Sequence, residues 1–265
     1  MSIASAAGDG FVVAKRNLIK IKRVPDLLVF TTLQPIMFVL LFVYVFGGAI
    51  AVKGSDYKEF LIAGIFAQTV IFGSVITGAG LAEDIQNGII DRFRSLPMSP
   101  SAVLFGRTLS DVLNNVIVMV VMTITALLVG WRIHTSAPEV LAGFLLLLAF
   151  AYAFSWVMAM MGLLAPGPEV VNNAAFIVIF PLTFVANTFV PIFTLPGPLR
   201  TFAEWNPVSS VTQAARELFG NIPPRTPAPG WALQHPVAYT LMWTVAILAV
   251  FVPLTTRQFR RSVSR

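Results

Sequence analysis

The chain is cut into long apolar runs, and their length decides what it can become. Crossing the hydrocarbon core of a bilayer takes about 20 mostly apolar residues in a helix. Six runs are of that order: residues 27–46, 60–81, 109–129, 140–164, 171–189 and 237–254. Within lipid, backbone amides and carbonyls must bond inside their own segment, so each run is predicted as an α-helix. The chain is 57% hydrophobic and only 11% charged, whereas soluble domains average about 25% charged residues. The expectation is an all-α integral membrane protein with six transmembrane helices. Gly47-Gly48 closes the first run and Gly130-Trp131 the third, where the indole suits the headgroup level. Pro166-Gly167-Pro168 makes a tight break between the fourth and fifth. Pro35 and Pro181 lie inside runs and predict kinks.

Basic residues set the orientation. Of the 18 Lys and Arg, 12 fall on the ends and connections assigned to the inside and six on those assigned outside, including Arg132, Arg200 and Arg216. Both termini are therefore expected in the cytoplasm, with residues 262–265 as a short basic tail. Residues 1–26 form a separate N-terminal region. From Phe11 to Val24, Lys15, Arg16, Lys20, Lys22 and Arg23 share one half of a helical wheel, and Phe11, Leu18, Ile21 and Val24 the other. Such a helix lies in the membrane plane with its basic half on anionic lipid headgroups. A nucleic-acid patch is the rival for so basic a stretch. An apolar span follows at once, so membrane lipid is the expected partner and nucleic acid is not. No cleavable signal is expected, because the first run lacks a small-x-small site.

One polar stretch, Glu83 to Arg107, interrupts the second and third runs. Ile89, Phe93 and Leu96 recur at i, i+4 and i+7, which places them on one helical face with Ile90 beside it. Pro97 ends that helix, Ser99 is a candidate N-cap, and Pro100 suits the first position of the next helix. Spacing alone leaves a docking helix over 87–96 and a solvated connecting loop both open. The outer segment 191–236 holds nine of the 18 prolines. Asn206 is a candidate cap and Pro207 a first residue for an amphipathic helix over 208–219, which is either re-entrant or an ordinary outer loop.

The missing chemistry is informative. There are no cysteines, and His134 and His235 stand far apart without a ligand pattern. No GxxxxGK[ST], GxSxG or HExxH occurs. No catalytic residue, cofactor site or metal site is expected, and the chain is not expected to be an enzyme by itself. Glu83, Asp84 and Asp111 are expected at the cytoplasmic rim, paired with Arg92, Arg94 or Arg107 or capping a helix. That rim placement argues against a proton-coupled carrier, which needs ionisable groups near the midplane. Gln68, Asn114, Asn115, Ser155, Asn173 and Asn187 are candidates for a weakly polar substrate path. Interhelical hydrogen bonding is the commoner use of such residues and competes with that assignment. The 22 Phe and nine Met suit an adaptable apolar path and lipid contact equally.

The run from Asp84 through Gln86-Asn87-Gly88-Ile89-Ile90-Asp91-Arg92-Phe93-Arg94-Ser95-Leu96-Pro97-Met98, with Gly106-Arg107-Thr108-Leu109, resembles the membrane subunits of type 2 ABC exporters. The daunorubicin-resistance permeases are the branch it is most similar to. Asn206-Pro207-Val208-Ser209 and Arg216-Glu217-Leu218-Phe219 add to the likeness, which extends over about 27–261 as one transmembrane domain. The resemblance implies that the inner segment is a coupling helix docking into a separate ATPase through Glu83, Gly88, Ile89, Arg92, Phe93, Arg94, Leu96 and Pro97. It also implies two short re-entrant helices before the last span, and a homodimer joined through the first and fifth spans. ATP and Mg would be bound by two copies of the partner ATPase, none by this chain. The implied function is export of amphipathic drugs, antibiotics or lipid-like metabolites across the plasma membrane. Export of a polysaccharide or lipid-linked glycan is the alternative, and a stand-alone carrier or channel is a further one.

Overall fold

The computed structural model describes residues 25–47, 50, 56–89, 100–222 and 230–263. Among them every regular element is helical. α1 (Pro25–Leu41) runs into a π-helical turn at Phe42–Phe46. α2 (Tyr57–Gly73) and α3 (Val75–Gln86) form one rod with a break at Ser74, whose hydroxyl donates to the Ile71 carbonyl at 2.6 Å. α4 (Pro100–Leu128), α5 (Ala137–Leu164) and α6 (Pro168–Phe184) follow. Then come a 3-10 turn at Ile192–Thr194, α7 (Gly197–Trp205), α8 (Pro207–Phe219), α9 (Trp231–Gln234) and α10 (Pro236–Val263).

Four helical stretches are long and apolar enough to cross a membrane: Tyr57–Gln86, Leu104–Leu128, Ala137–Leu164 and Pro236–Arg261. Two shorter apolar helices, Thr32–Phe46 and Pro168–Phe184, occupy the first and fifth expected runs. The fifth run differs most from expectation. Its helix stops at Phe184, and residues 185–189 leave the helical path. The reason is local competition for carbonyls: the Asn206 amide donates to Leu182 O at 2.7 Å and Val185 O at 2.9 Å. Helix persists through both Pro35 and Pro181. The last helix also passes through Pro253 and ends nine residues beyond the apolar run.

The caps follow the sequence. Asp56 accepts from the Lys58 amide at 3.1 Å and starts α2. Glu139 accepts from the Ser136 amide at 2.9 Å and its hydroxyl at 2.7 Å, fixing the start of α5. Pro100 is the first residue of α4, and Ser99 lies outside the described residues. Asn206 accepts from the Val208 amide at 2.9 Å with Pro207 first in α8, as the sequence predicts.

The core is centred on α5, which α10, α3 and α8 all pack against. Helices α3 and α5 cross at Gly78 and Gly162. A Cβ on Gly162 would collide with the Gly78 carbonyl, and one on Gly78 with the Met158 carbonyl. In lipid, where burial gives helices little reason to associate, such close small-residue contact supplies the packing energy. α8 is no exposed loop, since Val208, Val211, Ala214, Ala215 and Phe219 are fully buried against the bundle.

Two expectations are corrected here. Trp131 is not displayed at a headgroup level: it is fully buried, donates to Asn221 Oδ1 at 2.9 Å and packs edge-on against Phe219. Its indole is consumed in fixing the 131–136 connection to the end of α8. Arg216 is not a solvated outer-loop charge either, being fully buried. The N-terminal interfacial helix over 11–24 lies outside the described residues.

Candidate functional site

A cavity of about 470 Å³ opens between α1, α2, α3, α4 and the start of α6. That volume falls in the range of small-molecule sites. Its apolar side includes Phe38, Ile65, Phe72 and Val118. Its polar side includes Gln34, Gln68, Thr69, Asn114, Asn115 and Asn172. Toward the α3–α4 connection stand Glu83, Arg107, Ser110 and Asp111. Asn114 and Asn115 sit one turn beyond Ser110 and Asp111, so the helical repeat alone places four polar groups of α4 on adjoining stripes.

The charged end of the cavity is tied together. Arg107 Nη1 lies 3.3 Å from Asp84 Oδ2, and Arg107 Nη2 donates to the Ile76 carbonyl at 3.3 Å. Gly80 makes this possible, because a Cβ there would occupy the place of the guanidinium. The Thr77 hydroxyl donates to Asp111 Oδ2. Asp84 and Asp111 are each only 6% exposed. Asp84 pairs with Arg107 as one of the expected pairings had it. Asp111 lies one turn beyond Arg107 on α4, facing Thr77 of α3. Asp111 and Arg216 are ionisable side chains buried within the helical bundle.

Of the six residues proposed for a path, Gln68, Asn114 and Asn115 meet at this cavity. Ser155 turns back on its own helix and donates to the Tyr152 carbonyl at 2.8 Å. Asn173 is exposed on α6, and its neighbour Asn172 is the one that lines the cavity. Asn187 is a joint: its side-chain amide donates to Gln213 Oε1 at 3.0 Å, while its backbone N–H donates to Ser209 Oγ at 2.9 Å. Gln34 also lines the cavity, and a lone amide beside Pro35 inside an apolar run is a sequence signal of the same kind.

Of the coupling residues, Glu83 lines the cavity. α3 ends at Gln86, and Gly88 adopts a left-handed φ of 66°. A helix over 87–96 is therefore corrected at its start, because Asn87-Gly88 is a turn and helical backbone resumes only at Ile89. Arg92, Phe93, Arg94, Leu96 and Pro97 lie outside the described residues. Among the described residues no cluster of His, Asp and Glu is placed to hold a metal.

Apolar helices of spanning length, packed around a part-polar cavity, define a membrane-embedded helical permease. Comparison with known proteins identifies the kind. Residues 10–219 match the family model described as ABC-2 type transporter, and the chain belongs to that family. It is 36% identical over 245 residues to the daunorubicin resistance ABC transporter permease protein DrrB1 of Streptomyces coeruleorubidus, covering 92% of this chain and 83% of that protein. It is 24% identical over 210 residues to the doxorubicin resistance permease DrrB of Mycobacterium tuberculosis, covering 79% and 72%. It is 22% identical over 213 residues to the putative transport permease ycf38 of Porphyra purpurea, covering 79% and 73%. The chain is thus an ABC-2 type permease, similar over most of its length to permeases named for daunorubicin and doxorubicin resistance.

Proposed function

We propose that this chain is the permease subunit of an ATP-driven exporter that carries amphipathic drugs, antibiotics or lipid-like metabolites out of the cytoplasm. The observation that carries the reading is the cavity: one wall is aromatic and aliphatic, the other is built from amides and charges. A cargo with an apolar body and a polar edge satisfies both walls. The names of the relatives point to the same chemistry, since two of them are resistance permeases for planar amphipathic antibiotics. The chain contains no phosphate-binding loop, so ATP and Mg belong to a separate ATPase subunit, two copies of which dock on the inner segment around Phe93 and Leu96.

Two permease copies complete the path. Tyr44 on the first apolar segment and Ile177 on α6 are each 71% exposed. Apolar surface on those two segments is suited to a partner copy joined through the first and fifth spans. In this reading all six apolar segments cross the plasma membrane, both termini face the cytoplasm, and α7 and α8 re-enter the membrane from outside. The test is reconstitution of the chain with its ATPase in proteoliposomes. Daunorubicin should stimulate hydrolysis and be moved in an ATP-dependent manner. Movement of a lipid-linked glycan with no response to daunorubicin would overturn the assignment of cargo.

A further inference from the structure

Arg107 closes a loop. Twenty-three positions separate it from Asp84, yet the two side chains meet at 3.3 Å, with only 12% and 8% of their surface exposed. The contact joins α3 to α4 close to the ends that the inner segment connects. The guanidinium spreads along α3, one arm on Asp84 and the other on the Ile76 carbonyl. Ile76 and Asp84 are eight residues apart in α3, and Gly80 between them leaves the bare backbone against which the fork lies. One turn further along α4, Asp111 takes the Thr77 hydroxyl. Two rungs on one stripe of α4 therefore fasten it to α3, and Ile76, Gly80, Arg107 and Asp111 all line the cavity.

A buried ion pair is poor at raising stability, because desolvation of the charges offsets their attraction. Its better-attested use is to fix a register. We infer that Arg107 is a positioning residue: it holds the cavity ends of α3 and α4 in one register, so that occupancy of the cavity and the position of the inner segment are read by each other. The fork geometry is essential to this. A lysine keeps the charge but cannot hold Asp84 and the Ile76 carbonyl in one plane. The inference rests on the exporter reading and assigns a coupling role within it.

The experiment uses the reconstituted complex with its ATPase, with daunorubicin as the probe, and compares basal with drug-stimulated hydrolysis. Arg107→Gln should keep ATPase co-purification and the daunorubicin concentration that half-saturates stimulation, while the stimulated increment at saturation falls by about 5-fold or more, the lower end of common coupling strengths. Arg107→Lys should fall between. Because removing the guanidinium from buried Asp84 can impair folding, two further variants are decisive. Gly80→Ala leaves every charge in place and displaces only the guanidinium. Asp84→Asn with Arg107→Gln removes both charges together. Both should insert, bind the ATPase and lose the stimulated increment. Wild-type stimulation in either one overturns the positioning role. A wild-type complex that daunorubicin never stimulates overturns the exporter reading and this inference with it.

Discussion

The guanidinium carbon of Arg216 sits 3.5 Å from the centroid of the Phe60 ring, and Arg216 Nε donates to the carbonyl of the same Phe60 at 2.8 Å. One residue of α2 thus offers a cation both its face and its backbone. Arg216 Nη2 completes the arrangement, donating to Asn187 O at 2.6 Å and Thr188 O at 3.2 Å. Those carbonyls are exposed to this fate because α6 has already ended at Phe184. Gly64 lets the strand of chain at Thr188 lie directly on α2, since a Cβ there would meet the Thr188 carbonyl. Among the described residues no carboxylate pairs with this charge; carbonyl dipoles and a ring quadrupole face it instead, and Nη1 has no hydrogen-bond partner.

Removing that side chain should therefore cost more than its packing. Arg216→Ala leaves the carbonyls of residues 187 and 188 without the guanidinium, and an unsatisfied buried polar group costs roughly 1–3 kcal/mol. The detergent-solubilised variant should melt clearly below wild type, with α8 more open to proteolysis. An unchanged melting curve would show that α8 is held without this residue.

The α3–α5 crossing gives a steric prediction. Gly162→Leu places a side chain where the Gly78 carbonyl now lies. Overpacking of this kind typically costs about 1–3 kcal/mol, and backbone against backbone leaves little to yield. Gly162→Leu should lower the melting temperature, and Gly162→Ala should do so less. Exposed Gly197, which has nothing within 4 Å, should accept alanine with no loss. Equal effects at 162 and 197 would remove the case for a tight crossing.

Topology is tested by placing reporters at residue 5, near Thr226 and at the C-terminus. The first and third should report cytoplasm, and the middle one the outside. The motivation is the 12-to-six division of basic residues, weighted by where they lie relative to the apolar segments. Opposite sides for the two termini would contradict the six-span reading.

The sequence revealed the fold's skeleton because apolar length and capping chemistry are local. Runs of about 20 apolar residues become helices in lipid whatever their neighbours do, and Asn206-Pro207 or Pro100 start helices by their own stereochemistry. What was illegible depended on distant partners. The end of the fifth helix at Phe184 is set partly by the Asn206 amide, 21 residues beyond Val185. Trp131 reads as an interface tryptophan until Asn221 supplies its acceptor. The cavity was half legible: Gln68, Asn114 and Asn115 stand out as amides in apolar runs, but nothing local separates them from Ser155 or Asn187, which bond elsewhere. Arg216 reads as a loop charge because the carbonyls that hold it come from two other segments.

The last prediction concerns the segment between the two clasped ends. Ile89 has helical backbone beyond the turn at Gly88, and the sequence spacing predicts that Phe93 and Leu96 share its face. If that face enters a groove on the ATPase, Phe93 is its largest apolar group. Burying such a side chain is worth roughly 1.5–3 kcal/mol, and truncation at a packed interface can cost more than about 2 kcal/mol. Phe93→Ala should therefore weaken co-purification of the ATPase, or separate hydrolysis from export, in a permease that still inserts and dimerises. Arg92→Ala should give a milder loss that deepens at high salt, because a rim charge acts mainly on encounter. The two measurements are ATPase pull-down and efflux of a fluorescent amphipath. Wild-type values for Phe93→Ala in both would leave the segment a plain connection, and the drive for export would have to enter the permease by another surface.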